Sequence, residues 1–193
     1  MNVVAILLAA GSASRFGSDK LLHRLLHDVP IAVQSARHLK AVFTEKILAV
    51  VRPDAAALSA FLEKEGCSIV VCEKAAQGMG ESLACAVRAA GPADGYVVAL
   101  ADMPFIRPSS IAAVREALEK GAPLAAPYFR ARRGHPVGIA ARFRGELEGL
   151  QGDAGAKHVL SQHASEIVKI PVGDPAVLRD IDTPGDLAPP LVV

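Results

Sequence analysis

The chain opens Val3-Val4-Ala5-Ile6-Leu7-Leu8 and then breaks into Ala9-Ala10-Gly11-Ser12-Ala13-Ser14-Arg15-Phe16-Gly17-Ser18-Asp19-Lys20. An unbroken apolar run of this length reads as a strand buried on both faces, the habit of strands inside a parallel sheet. The strand gives way to a loop of small residues that carries two cations, Arg15 and Lys20. Small side chains let backbone N–H groups approach an anion closely, and the two cations supply formal charge. That combination suits a triphosphate. Neither common phosphate signature, G-x-x-x-x-G-K-[ST] or G-x-G-x-x-G, occurs in this loop. A tight strand-to-helix connection would look much the same, so the loop takes its meaning from the rest of the chain.

Outward from that loop, short β-rich runs alternate with longer helical ones. The pattern predicts strands over residues 3–8, 47–51, 68–72, 96–100, 124–127, 137–139 and 167–170. It predicts helices over 31–39, 54–64, 79–90, 108–119, 141–145 and 154–162, with Gly66, Gly91 and Gly121 where helices should stop. Such alternation implies βαβ units and an α/β fold of three layers, a mostly parallel sheet with helices on both faces. Ligands of such sheets bind outside the carboxyl ends of the strands, which points to the loops after Leu8, Cys72 and Leu100. The pattern loosens after Tyr128, where extra strands and a basic loop read as an elaboration of the same single domain, residues 1–193.

A formal charge of +1 gives no global attraction to nucleic acid or acidic membranes, so any anion site is local. Cys67, Cys72 and Cys85 show neither a C-x-x-C pair nor a histidine at metal spacing, and read as reduced, buried thiols. No segment approaches the ~20 apolar residues of a membrane span, and the opening run lacks the flanks of a secretory signal. A soluble cytoplasmic protein is the expectation.

Five further segments carry chemistry. Asp102 follows the run Val97-Val98-Ala99-Leu100-Ala101 and so leaves a strand end into the ligand crevice. A divalent cation bridging phosphate oxygens would neutralise it, though a plain loop or capping aspartate fits the segment too. Asp180 and Asp182 alternate around Ile181 and share one face if extended; alternatively Asp182 or Thr183 caps a last helix at Pro184. Gln77-Gly78-Met79-Gly80-Glu81-Ser82 lies where a strand gives way to a helix, and could read a base or ribose or simply start the helix. Arg130, Arg132 and Arg133, followed by Gly134-His135-Pro136-Val137, make a local positive patch or a solvated hairpin tip. Gly152-Asp153-Ala154-Gly155-Ala156-Lys157 is another glycine-bearing turn that opens a helix. No Ser/His/Asp or Cys/His arrangement stands out. A phosphate loop, metal-ready carboxylates and a basic second site together suit in-line attack on a nucleotide phosphorus.

Taken in order, these segments resemble the nucleotidyltransferases of the molybdenum-cofactor type, the MobA-like NTP transferases. The resemblance is carried by Leu8-Ala9-Ala10-Gly11 with Arg15, Gly17 and Lys20, then by Gly78-Met79-Gly80 with Ser82-Leu83, and by Asp102-Met103-Pro104. Gly134-His135-Pro136-Val137, Gly152-Asp153 with Gly155-Ala156, and Asp182-Thr183-Pro184 complete it over essentially the full length. Within the family the chain looks most like the molybdenum cofactor cytidylyltransferases, because the guanylyl-transferring relatives usually have Gly-Gly where this chain has Ala10-Gly11.

The resemblance implies a Rossmann-like nucleotidyltransferase fold, with a nucleotide-binding part over about 1–105 and an acceptor-binding elaboration over about 106–193. It implies Mg²⁺-dependent transfer of CMP from CTP to the terminal phosphate of molybdopterin, with release of pyrophosphate. Alternatives are use of GTP or another small phosphate acceptor, and a non-catalytic protein that binds and delivers the cofactor. Leu8, Ala9, Ala10, Gly11, Gly80 and Ser82 would bind the nucleotide, with Arg15 and Lys20 on the triphosphate. Arg15, Lys20 and Asp102 would carry catalysis, Asp102 and Asp182 would hold the metal, and Arg133 and His135 would face the acceptor. Transient contact with a molybdoenzyme or its chaperone would follow, without nucleic acid or membrane partners.

Overall fold

The computed structural model describes residues 1–11, 20–25 and 28–187. The opening run forms β1 (Val3–Leu8), every residue of which is buried. It lies at the centre of the sheet because it can satisfy its backbone on both edges without exposing any side chain. On one edge it pairs in parallel with β2 (Ile47–Val51), and on the other with β4 (Gly95–Leu100). β3 (Ser68–Val71) extends the parallel set beyond β2. The chain therefore builds outward from β1 to β3, then returns through α3 (Met79–Ala90) to place β4 on the far side of β1. Strand order reverses between β1 and β4, the point at which open α/β sheets form a ligand crevice.

The remaining strands make the sheet mixed. β7 (Val137–Ala140) is antiparallel to both β4 and β5 (Leu124–Phe129), while β8 (Ile167–Pro171) runs parallel to β5 from Leu124 to Tyr128. A strand has two edges, so β6 (Arg132–Arg133) shares with β7 the edge of β5 that β8 leaves open. β5 thus points the same way as β4, and the β5–β6 hairpin projects from the edge of the sheet that carries the strand ends.

Alternate residues of β1 divide the core. Val3, Ala5 and Leu7 pack with α1 (Ile31–Lys40), α2 (Ala56–Lys64) and α4 (Pro108–Glu119). Val4, Ile6 and Leu8 pack with α3, α5 (Arg144–Glu148) and α6 (Gly155–Gln162). These are the expected three layers, with most strands parallel. The helix expected over 141–145 is instead a 3₁₀ turn, Ala141–Phe143, that leads into α5, and the helix expected from 54 starts at Ala56. No helix among the described residues is long and apolar enough to cross a membrane.

A carboxylate is buried deep in this frame. Asp174 is 3 % exposed and accepts from the Arg107 N–H at 2.9 Å, the Ser110 Oγ at 2.8 Å and the Ala176 N–H at 3.1 Å. It satisfies the otherwise orphaned N-terminus of α4 from across the fold, and so fastens the chain that goes on to deliver Asp180 and Asp182.

Candidate active site

Lys20 opens a 3₁₀ turn, Lys20–Leu22, anchored by the buried Leu21. Its Nζ lies 2.9 Å from Asp102 Oδ2 and 3.4 Å from Asp182 Oδ1. Burial opposes the ammonium charge, but the Asp102 and Asp182 carboxylates outweigh it and hold the pKa above the ordinary lysine value. Lys20 is a cation throughout the physiological range.

Asp102 owes its place to backbone bonds on each side. The Ala101 N–H donates to the Leu8 carbonyl at 3.0 Å, prolonging the β1–β4 pairing, and the Ser35 Oγ donates to the Ala101 carbonyl at 2.8 Å. The Ile181 N–H donates to the Asp102 carbonyl at 2.9 Å, and the Ile181 side chain is fully buried. With Ile181 turned inward, its neighbours Asp180 and Asp182 turn outward on the same side. One carboxylate oxygen from each of Asp102, Asp180 and Asp182 lies within 4.8 Å of the others. Asp186 steadies this segment by accepting from the Thr183 Oγ1 at 2.8 Å and N–H at 2.9 Å.

A cavity of about 430 Å³ opens over the ends of β4, β1 and β2. Lys20, Asp102 and Asp182 line it at the β4 end; Leu8, Ala10 and Gly11 line it at β1; Arg52, Gly78, Met79, Ser82 and Asp153 line it toward β2 and α3. With strands ~4.8 Å apart, the distance from β4 to β2 is about 10 Å, enough to seat a nucleotide with its phosphates and base at different strands. At the α3 end the wall is set by close backbone packing. A Cβ at Gly78, whose φ is +134°, would overlap the backbone of Gly152, and one at Gly80 would stand 2.8 Å from the Gly152 oxygen and 2.9 Å from that of Gln151.

The residue profile of the MobA-like NTP transferase domain matches residues 5–167. The chain belongs to that family. It is similar to the nicotine blue oxidoreductase of Paenarthrobacter nicotinovorans, with 27% identity over 94% of this chain and 92% of that protein. It is also similar to the purine catabolism protein PucB of Bacillus subtilis strain 168, with 28% identity over 94% of this chain and 92% of that protein. Among solved structures it shares the fold of Rv0371c from Mycobacterium tuberculosis H37Rv, with a TM-score of 0.85, 24% identity and coverage of 96% and 94% of the two chains. A complex of Rv0371c with manganese also matches, with a TM-score of 0.79, 22% identity and 96% of each chain covered.

In this MobA-like nucleotidyltransferase, most of the residues singled out from sequence come together. Leu8, Ala10, Gly11, Lys20, Ser82, Asp102 and Asp182 all line the one cavity. Ala9 is buried beneath it, its N–H donating to the Val50 carbonyl at 2.9 Å. Gly80 faces the Gln151–Gly152 backbone and acts there as a packing residue. Arg15 lies outside the described residues. Arg133, the last residue of β6, and His135, on the β6–β7 connection, do not line the cavity; the His135 N–H donates to the Val177 carbonyl at 2.8 Å. His135 is half-buried and its Nδ1 is enclosed without a hydrogen-bond partner. Burial, reinforced by the Arg133 cation and only partly opposed by Asp180, pushes its pKa down to about 4. The imidazole is neutral at physiological pH, so positive charge on that side comes from the arginines of the β5–β6 hairpin rather than from His135.

Arg52 was not anticipated, although it follows the last residue of β2 and the strand-end rule that found Asp102 applies to it equally. Asp153 fell within a segment noted from sequence but had no assigned part. The three carboxylates fit a small hard cation. One oxygen from each, all within 4.8 Å of one another, offers the hard donors that such a cation takes.

Proposed function

We propose that this protein transfers CMP from CTP to the terminal phosphate of a molybdopterin-type acceptor and releases pyrophosphate. The observation that carries the reading is the Lys20–Asp102–Asp182 cluster at the phosphate end of the cavity. A cation already balanced by two carboxylates is preorganised for a ligand that brings both phosphate and a metal. The ordered resemblance to the cytidylyl branch, Ala10-Gly11 in particular, supports CTP. Three-oxygen chemistry at Asp102, Asp180 and Asp182 supports Mg²⁺, as does the manganese complex formed by Rv0371c.

In this reading the backbone at Ala10 and Gly11 lies against the nucleotide, and Ser82 and Arg52 lie toward its sugar and base. Asp102 and Asp182 hold Mg²⁺, which when bound neutralises phosphate charge at the reacting phosphorus. Lys20 then donates to a phosphate oxygen and stabilises the charge that builds on the departing pyrophosphate. Arg133 orients the acceptor phosphate, whose oxygen already carries charge and attacks in line without a protein base. His135, neutral, positions the acceptor by hydrogen bonding. The nucleotide part over about 1–105 and the acceptor part over about 106–193 cooperate, since the cavity takes Asp153 and Asp182 from the second. A reaction that consumes CTP belongs in the cytoplasm, and hand-over to a molybdoenzyme or its chaperone would follow.

The test is incubation with each nucleoside triphosphate, Mg²⁺ and purified molybdopterin, with the product identified by mass. The expected result is a CMP-linked product formed with CTP together with pyrophosphate. Turnover with GTP alone would move the protein to the guanylyl branch, and turnover only with a different phosphate would replace the acceptor. Cofactor binding and delivery by Lys20→Ala at the wild-type level, with no product from either protein, would favour a carrier.

A further inference from the structure

We infer that Cys72 and Cys85 are a modification site: they join in a reversible disulfide that ties β3 to α3 behind the nucleotide cavity. Cys72 directly follows β3 and is buried; Cys85 lies in the second turn of α3 and is half-exposed. Their contacts are reciprocal. The Cys72 thiol donates to the Glu81 carbonyl at 3.7 Å, on the turn of α3 that precedes Cys85, and the Cys85 thiol donates to the Val71 carbonyl at 3.8 Å, the residue before Cys72. Each thiol is thus seated against the element that carries the other. Cys67 enters β3 at its other end, about 16 Å from Cys72 along the strand, and is out of reach.

The pair encloses residues 73–84, which include Ala75, Gly78, Met79 and Ser82 of the cavity lining. The consequence for nucleotide binding rests on the reading of that cavity given above; formation of the bond does not. The oxidant is a low-molecular-weight disulfide such as oxidised glutathione. The half-exposed Cys85 loses its proton and attacks one sulfur of that disulfide, which releases one thiolate and leaves a mixed disulfide. Cys72, deprotonated in turn, attacks the Cys85 sulfur and expels the second thiolate. Two protons leave the protein, and two electrons pass to the oxidant, which departs as two thiols. Burial, with Cys72 alongside, pushes the Cys85 thiol up to about 11 against the opposing pull of Arg88, so the thiolate is scarce at neutral pH and the exchange is slow. A disulfide holds its sulfurs about 2 Å apart, nearer than two thiols in contact, so closure draws the second turn of α3 toward β3 and moves Ser82 against the nucleotide.

The experiment treats the full-length protein with oxidised glutathione, maps the thiols by alkylation and peptide mass, and titrates CTP by calorimetry before and after. The expected map links Cys72 to Cys85 within one chain and leaves Cys67 free to alkylate after denaturation. CTP affinity should weaken at least threefold on oxidation, recover with reductant, and not respond to oxidant in Cys85→Ser. Three alkylatable thiols after prolonged oxidation, or a bond to Cys67 or to a second chain, would overturn the site. An intramolecular bond with unchanged CTP affinity would overturn its coupling to the cavity. Failure of the reduced protein to bind CTP would instead remove the nucleotide reading and leave the disulfide to be judged by the map.

Discussion

The two ends of the cavity are built by opposite means. At the β4 end, Lys20 meets Asp102 and Asp182, and little but charge fills the space. At the α3 end, Gly78 and Gly80 admit the backbone of Gln151 and Gly152 so closely that side chains are excluded. One end presents charge to the cavity and the other a rigid wall. Damage should therefore read out differently: in turnover at the charged end, and in stability at the packed end.

The sharpest way to break this contrast is Gly78→Ala. The new Cβ would meet backbone, which cannot swing aside, at a φ of +134° that L-residues rarely adopt. We expect a loss of roughly 3 kcal/mol or more, seen as a lower denaturant midpoint. A midpoint unchanged from wild type would mean that the packed end yields, and the contrast would fail.

A loss of about the same size should follow from acid at His135, on the β6–β7 connection. The folded pKa of His135, about 4, lies below its unfolded value of 6.5. Its contribution is intact above pH 6.5, declines as pH falls through the interval, and is gone below about 4, because the unfolded chain takes up the proton first. The shift corresponds to about 3 kcal/mol. Denaturation midpoints collected from pH 7 to 4 should show this decline in the wild type and a shallower one in His135→Gln. Equal slopes would mean that the imidazole is not enclosed.

At the charged end, Lys20→Ala should lower kcat on the order of 100-fold, ~2.7 kcal/mol, because on the proposed function it removes the donor to the departing pyrophosphate. The half-exposed partners Asp102 and Asp182 should leave stability within about 1 kcal/mol of wild type. Asp102→Asn should cost at least about tenfold, ~1.4 kcal/mol, in turnover at limiting Mg²⁺. Wild-type rates from that variant would take Asp102 out of the metal site, and unfolding of Lys20→Ala would show that this end is structural as well.

How far the sequence foretold each end follows the same division. β1 was legible because an uninterrupted apolar run has few alternatives to a central strand, and Asp102 because it leaves such a strand at its carboxyl end. The direction of β7 was not legible, since alternation and apolar runs carry no sign of parallel or antiparallel pairing. Nor was the close approach at Gly80, because its partners Gln151 and Gly152 lie far along the chain and contribute only backbone. Asp180 and Asp182 were read as sharing a face; burial of Ile181 between them supplies the physical reason.

The finest test of the contrast is Arg52, a cation that lines the cavity beyond the charged cluster. Its guanidinium pairs with Asp54 at 3.3 Å, and the side chain is 30% exposed, so it is held but not spent. Guanidinium only donates, and cytosine presents two neighbouring acceptors, O2 and N3, where uracil interrupts them with an N–H. Arg52→Ala should therefore raise KM for CTP about fivefold, ~1 kcal/mol, leave kcat within about twofold, and leave KM for UTP nearly unchanged. A fall in kcat would instead assign Arg52 to the phosphates, and an equal rise in KM for UTP would show attraction to the nucleotide's charge rather than reading of its base.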